Sequence, residues 1–115
     1  KSAIVIANEV KRNLNNFEEI LNQCSVESQT TIYDGDVTEM KNQLDKMIDV
    51  EKRLDNIADI YSNTITLVKR LTSYNLYDLQ SVEEILKNFH QNWKSIKTIV
   101  LRNENILHEN IINNL

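Results

Sequence analysis

The sequence contains no proline and a single glycine, Gly35. Sheet-rich folds reverse direction at tight turns, and these turns usually need glycine or proline. The near absence of both residue types therefore favours a few long helices over many short strands. Hydrophobic residues make up 41% and charged residues 26% of the 115 residues, which is ordinary for one folded domain with one modest core.

Basic charge, apolar runs and cysteine are also scarce, and each scarcity excludes a class of protein. The formal net charge of −4 is unfavourable for binding nucleic acid. No apolar run approaches the roughly 18 residues that a transmembrane helix needs. Cys24 is the only cysteine, which excludes an intrachain disulfide and fits a cytoplasmic protein. The chain starts at Lys1 without a signal-peptide pattern, and we expect it to be a fragment of a longer protein.

Large apolar residues recur regularly in the last third of the chain. The steps between them alternate between three and four residues, which is typical of a helix packed along its length on other helices. This stripe consists of Leu79, Val82, Leu86, Phe89, Trp93, Ile96 and Val100, and the same register continues through the polar Asn103 to Leu107. Asp78 is the predicted N-cap, with Ser81 and Glu84 as an alternative capping pair. The pattern predicts a helix over about 79–113.

Two earlier segments show the same spacing and predict helices over about 2–25 and about 37–73. The first begins without a capping signal, and its stripe is Ala3, Ala7, Val10, Leu14, Phe17, Leu21 and Cys24. The stripe of the second is Val37, Met40, Leu44, Met47, Leu54, Ala58, Tyr61, Ile65 and Val68. Asp36 is the predicted N-cap of the second helix, because Glu39 follows three residues later and Gly35 lets the chain turn.

The short connection over residues 73–78 requires the second and third helices to be antiparallel neighbours. We therefore predict an all-α fold: one elongated antiparallel three-helix bundle over residues 1–115, up-down-up, with left-handed coiled-coil packing. In that hairpin Trp93 faces Ala58, so that the largest side chain meets the smallest in a close-packed core. The predicted structural core is Leu14, Phe17, Leu21, Leu44, Leu54, Ala58, Leu86, Phe89, Trp93 and Ile96.

Two polar residues, Glu51 and Asn103, interrupt the apolar stripes. Buried polar residues at such positions can fix the register of a bundle at a cost in stability. One hypothesis pairs Glu51 with Lys11 at the edge of the bundle. In the alternative, the side chains of Glu51 and Asn103 both extend to water. The sequence leaves both interpretations open.

No residue pattern points to catalysis, a cofactor or a metal. His90 and His108 are too far apart to act as ligands on one helix, and neither belongs to a Glu-x-x-His pair. The Asp34-Gly35-Asp36 segment lacks the other ligands of a calcium loop, and we interpret it as a turn followed by a helix cap. Cys24 is interpreted as a small buried hydrophobe. We expect no enzyme activity, no cofactor and no metal site.

Three segments carry a resemblance to a known family. SVEEILKNFHQNWKSIK, residues 81–97, places a tryptophan after apolar residues at minus eleven, minus seven and minus four. YDGDVTEMKNQLDKMIDVEKRL, residues 33–54, joins a Gly-Asp turn to a helix start, and NNFEEILNQC, residues 15–24, is similar to the end of a first helix. In these segments, and over nearly its whole length, the chain resembles the spectrin-repeat family.

The chain departs from the family pattern at three positions. The family usually has a tryptophan where Phe17 stands, an arginine where Asn92 stands and a histidine near Met47. These departures are typical of a divergent repeat from another long cytoskeletal rod protein, dystrophin-like, spectraplakin-like or nesprin-like. The resemblance implies a cytoplasmic, cytoskeletal location, at the cell cortex or at the cytoplasmic face of the nuclear envelope.

The resemblance also implies a function and partners. The first hypothesis is a non-catalytic rod or spacer repeat of a larger cytoskeletal linker protein, monomeric in isolation, whose partners are neighbouring repeats of the same parent chain. The alternative is a repeat that acts as a docking platform for a cytoskeletal or adaptor protein, as in actin-binding relatives. A third interpretation, an intermolecular coiled coil, is disfavoured because the second helix has a capped start.

Overall fold

The computed structural model describes residues 2–30, 34–74 and 79–115. These residues form three α-helices and no strand: α1 (Ala3–Gln29), α2 (Val37–Thr72) and α3 (Gln80–Asn113). Each helix packs against both of the others, so that the three share one core. The bundle measures 61 × 20 × 17 Å. The predicted fold class, an all-α elongated three-helix bundle, is confirmed.

Contacts between α2 and α3 run in opposite order along the two helices. The Tyr61 hydroxyl of α2 donates to the Leu86 carbonyl of α3 at 3.3 Å. Seven residues earlier on α2, the Leu54 carbonyl accepts a bond from Trp93, seven residues later on α3, at 2.8 Å. The two helices are therefore antiparallel, as the short connection between them predicts.

Helix α1 continues to Gln29, beyond the predicted end near residue 25. The added turn contains few apolar residues, so the spacing of apolar residues gives no sign of it. Polar side chains stabilise this turn instead: the Thr30 hydroxyl donates to the Val26 carbonyl at 2.9 Å, and the Ser28 hydroxyl donates to the Ser25 carbonyl at 3.0 Å. The ends of α2 and α3 lie close to their predicted positions.

Helix α2 begins at a side-chain cap. Asp36 has an extended backbone, and its Oδ1 accepts a bond from the Glu39 N–H at 2.8 Å, which satisfies one of the unpaired donors of the first turn. Gly35, immediately before the cap, has a φ of 120°, a conformation that side chains with a Cβ rarely adopt. A Cβ at this position would also collide with the Glu39 carboxylate.

The starts of the other two helices differ from the sequence-based expectations. The Ser2 hydroxyl accepts a bond from the Val5 N–H, so α1 does have a side-chain cap. The N-cap of α3 is Leu79, which makes no side-chain cap bond, and the predicted cap Asp78 lies outside the described residues. Ser81 lies inside α3, so the alternative capping pair with Glu84 is wrong.

The buried face of α1 is rotated from the predicted one in its first half. The residues that α1 buries are Ile6, Val10, Asn13, Phe17, Leu21, Cys24 and Ser28. Ile6 takes the inward place predicted for Ala7, and its larger side chain removes more apolar area from water. Asn13 likewise replaces Leu14, because its Nδ2 donates to the Thr64 Oγ1 at 3.0 Å and its amide is thereby satisfied.

The buried face of α2 is shifted in the same direction. Its buried residues are Met40, Leu44, Met47, Val50, Leu54, Ile57, Thr64, Leu67, Val68 and Leu71. Val50 is fully buried, whereas the next residue, Glu51, is only half-buried. Glu51 therefore does not interrupt the apolar stripe, because Val50 occupies that layer of the core.

We expect Asp36→Ala to lower the free energy of unfolding by about 1 kcal/mol, because the Glu39 N–H loses its acceptor and a carboxylate near the positive end of the helix dipole is removed. Urea denaturation followed by circular dichroism measures the change. Asp45→Ala, at an exposed position inside the same helix, removes the same charge without a cap and serves as the control. An equal loss in both variants would contradict the capping role.

Candidate functional site

The structure divides the predicted core residues between the interior and the edge of the bundle. Those that are buried are Phe17, Leu21, Leu44, Leu54, Leu86 and Ile96. Those that are only half-buried are Leu14, Ala58, Phe89 and Trp93. The first half of α3 is thus more open than the sequence predicts, while its second half buries Val100, Asn103 and Leu107 completely.

Trp93 lies at the edge of the bundle because its indole nitrogen bonds to the backbone of α2. The Nε1–H donates to the Leu54 carbonyl at 2.8 Å. A buried indole N–H needs an acceptor, and this one is on the surface of the neighbouring helix rather than at the bundle centre. The ring is flanked by His90, whose ring is nearly parallel to it with centroids 6.3 Å apart, and by the Lys97 ammonium, 5.6 Å from the ring centroid.

Aromatic rings from all three helices meet next to Trp93. The ring centroid of Phe17 of α1 lies 6.0 Å from that of Tyr61 of α2 and 6.0 Å from that of Phe89 of α3, and the second pair is edge-to-face. Tyr61 stacks on His90 at 5.6 Å, and burial raises the pKa of the Tyr61 phenol. Such pairs stabilise by about 0.5–1.5 kcal/mol each beyond their buried area. We refer to Phe17, Tyr61, Phe89, His90 and Trp93 as the aromatic cluster.

The predicted contact between Trp93 and Ala58 is wrong as a close-packed pair. Both residues border a cavity of about 110 Å³, which the aromatic cluster also lines. The small Ala58 side chain leaves this space unfilled because the indole is held by the Leu54 carbonyl, one turn before Ala58. Sequence spacing placed the two residues in the same layer but could not predict the direction of the ring.

Asn103 forms a fully buried polar contact between the helices. Its Nδ2 donates to the Ser28 carbonyl of α1 at 2.8 Å and lies 3.7 Å from the Met47 sulfur of α2. Ser28 is in the last turn of α1, where carbonyls lack an intrahelical donor. The hypothesis that Asn103 extends to water is therefore wrong, and its amide links the end of α1 to α3 at one register.

Glu51 does not pair with Lys11. Lys11 is exposed, and no ion pair joins the two among the residues that the structure describes. Glu51 instead approaches Glu104 of α3. Burial, the hydrogen bond with Glu51 and the charge of Glu51 together raise the pKa of Glu104 to about 7, while Lys97 lowers it and Asp55 raises it. Lys97 in turn forms an ion pair with Asp55.

Metal ligands, a reactive thiol and membrane-spanning helices were each sought among the described residues. No group of three or more His, Cys, Asp or Glu side chains in residues 2–30, 34–74 and 79–115 could hold a metal ion. Cys24 is fully buried, and burial raises the pKa of its thiol, so the reactive thiolate is disfavoured. None of the described helices contains an apolar stretch of the length that a bilayer requires.

We expect Asn103→Ala to lower the free energy of unfolding by about 2–3 kcal/mol. The substitution leaves the buried Ser28 carbonyl without its donor and opens a void in a tightly packed layer. Asn105→Ala, at an exposed position of the same helix, is the matched control and should change stability by less than about 0.5 kcal/mol. Chemical denaturation of both variants measures the difference, and similar values would argue against a structural role for Asn103.

The Glu51–Glu104 pair predicts a pH-dependent stability. The pKa of Glu104 is about 7 in the folded chain against 4.5 for the free group, so the folded state binds a proton that the unfolded state releases. The stabilisation is therefore complete below pH 4.5 and is lost as the pH rises through 7. Glu104→Gln mimics the protonated carboxyl, and we expect it to raise stability at pH 8 by on the order of 1 kcal/mol, after allowance for partial exposure to solvent.

Thermal unfolding between pH 5 and pH 8 measures this effect. Glu104→Gln should flatten the decline that the unmodified chain shows over this range. Glu109→Gln removes the same charge from an exposed position of α3 and should leave the decline intact. If the unmodified chain shows no decline between pH 5 and pH 8, the pKa of Glu104 is not raised in the folded chain.

Comparison with known sequences agrees with this architecture. A search of curated proteins and a search of solved structures return no match. The sequence model of the spectrin repeat matches residues 7–109, which is most of the chain and extends from α1 through α3. Spectrin repeats are structural, non-catalytic helical domains that occur in tandem in larger proteins and are generally cytoskeletal. The chain belongs to the spectrin-repeat family.

Proposed function

We propose that this chain is a spacer repeat in the rod of a larger cytoskeletal linker protein, and that neighbouring repeats pack against its two ends. The observation that supports this proposal is the distribution of exposed apolar side chains. Among the described residues, four of the five most exposed large apolar side chains lie near the ends of the bundle, and the less exposed ones lie mainly along its flanks.

The two ends are defined by the antiparallel order of the helices. Ile4 and Val5, in the first turn of α1, are 66% and 50% exposed at one end. Ile112 and Leu115, in and just after the last turn of α3, are 67% and 85% exposed at the other. Apolar side chains at both ends of a repeat are what neighbouring units would cover in a linear array, since each repeat contacts only its neighbours.

The shape of the domain supports the same function. One dimension, 61 Å, is about three times the other two, so each unit would add length to a rod without adding much width. The core is complete within one chain, with buried residues from all three helices. A repeat whose apolar residues are buried within its own chain would serve as a spacer and would unfold as one unit under load.

The alternative, a platform that docks a cytoskeletal or adaptor protein, would need a continuous apolar or single-sign patch on the flank. On the flanks, Val26 is 61% exposed, and Ile48, Ile60 and Leu101 are each only about two-fifths exposed. Single apolar residues of this kind are normal on protein surfaces. The exposed residues thus favour contacts at the ends, and a location along a cytoskeletal rod in the cytoplasm is part of the proposal.

We expect the isolated domain to be a helical monomer of 13.5 kDa that unfolds in one transition. Light scattering on a sizing column gives the mass, and circular dichroism on the same sample gives the helix content and the transition. A stable dimer at micromolar concentration would contradict the spacer proposal, because the apolar ends or flanks would then be satisfied by a second copy.

The same proposal predicts different effects for substitutions at the ends and on the flanks in the parent chain. Ile112→Glu, at one end, should uncouple this repeat from its neighbour, so that the two unfold in separate thermal transitions. Leu101→Glu, on the flank of the same helix, is the matched control and should leave the coupled transition unchanged. If Leu101→Glu instead abolishes binding of the parent chain to the cytoskeleton, and Ile112→Glu changes neither this binding nor the coupled unfolding, the docking alternative replaces the spacer function.

A further inference from the structure

The aromatic cluster encloses a space that the protein itself does not fill. The cavity of about 110 Å³ lies between all three helices, with Phe17 on α1, Ala58 and Tyr61 on α2, and Phe89 and Trp93 on α3. The exposed ring of His90 stands at its mouth, where the cavity opens to solvent. Two features create this space: Ala58 is the smallest residue of the wall, and the Leu54 carbonyl holds the indole in place.

The wall has almost no polar surface. Two of the three polar groups in the wall are already bonded elsewhere, since the Trp93 Nε1–H donates to Leu54 and the Tyr61 hydroxyl donates to Leu86; the third is the His90 imidazole at the mouth. Water deep in the cavity, away from the mouth, would lack the two to four hydrogen-bond partners that it needs. Closed apolar cavities of similar size, about 150 Å³, stay dry and bind benzene or xenon, and this one differs in being open to solvent at its mouth.

The cluster also selects against charge. No carboxylate lines the wall, and the Lys97 ammonium already lies over the Trp93 ring, so an organic cation would meet repulsion from Lys97 and find no opposite charge to offset its lost hydration. A ligand that carries a carboxylate would lose its hydration on entering and would meet only apolar carbon atoms. A neutral planar ring, by contrast, can make edge-to-face and offset contacts with Phe17, Phe89 and Tyr61.

We propose that the cavity beside Trp93 is a binding site for small, uncharged, single-ring aromatic molecules. The volume of about 110 Å³ limits the ligand to roughly the size of benzene or toluene. A ligand with so few atoms binds weakly, and we expect a dissociation constant on the order of 1 mM. The site is independent of the spacer function, because its wall lies on the flank and includes none of the exposed residues at the ends.

Benzene is the probe, and the Trp93 indole N–H is the reporter. Trp93 is the only tryptophan, so the chain gives one indole cross-peak in a ¹⁵N-correlated NMR spectrum. We expect benzene to displace this peak saturably, together with backbone peaks around Phe17, Ala58 and Phe89, while peaks at both ends of the bundle stay in place. Benzylammonium, which adds a charge to the same ring, should bind at least tenfold more weakly.

Ala58→Leu supplies a side chain that occupies the cavity and should weaken benzene binding at least tenfold. Ala58→Val is the smaller second variant, for use if leucine overpacks the site, and circular dichroism verifies the fold of each. Asn56→Leu adds the same leucine at an exposed position of α2 and should bind benzene like the unmodified chain.

Two results would overturn the proposal. One is the absence of any displacement of the indole peak up to the solubility limit of benzene. The other is an equal benzene affinity in a folded Ala58 variant, which would place binding elsewhere on the surface. Saturable displacement that is lost in the Ala58 variants and kept in Asn56→Leu establishes the site.

Discussion

Burial of one apolar stripe per helix is the constraint on which this structure depends. The helices are long, but sixteen asparagines lower their intrinsic helix propensity, and no disulfide or metal ligand set is found among the described residues. Long helices of ordinary composition draw most of their stability from tertiary packing. Each helix therefore needs the other two, and the bundle folds as one unit whose length follows from the length of the stripes.

Apolar stripes alone do not determine how the helices slide along one another, because apolar contacts are non-directional and a heptad shift would rebuild most of them. Two buried polar contacts remove this freedom. Asn13 of α1 bonds to Thr64 of α2, and Asn103 of α3 bonds to Ser28 near the end of α1. A shifted register would leave these amides and carbonyls unsatisfied in the core, at about 1–3 kcal/mol for each group. The polar contacts thus provide register, while the stripes provide most of the stability.

This division explains what could be predicted from the sequence. The three- and four-residue spacing was sufficient for the helix count, the antiparallel order and the fold class, because these depend only on where the stripes lie. The spacing could not distinguish Val50 from Glu51, or Ala7 from Ile6, as the inward residue. Neighbouring positions are 100° apart on a helix, and the third helix decides which of the two is covered.

The last turn of α1 was missed for a related reason. Its stabilising groups are Ser28, Thr30 and the partner Asn103, which are polar residues that a search for apolar periodicity interprets as loop. The signal was nevertheless present in the isolated polar position of the α3 stripe. A polar residue in an otherwise apolar stripe indicates a polar partner on a facing helix, and for Asn103 this partner is a carbonyl in the last turn of α1, where carbonyls lack an intrahelical donor.

The first half of α3 shows how one hydrogen bond can redirect local packing. Trp93 satisfies its N–H at the Leu54 carbonyl, which holds the indole at the edge of the bundle and leaves Ala58 facing empty space. An unfilled apolar volume of 110 Å³ costs at most about 2–3 kcal/mol, and less where solvent reaches the mouth. The bundle tolerates this gap because the layers on either side are closely buried, with Ile6 and Leu71 in one and Val50 and Val100 in the other.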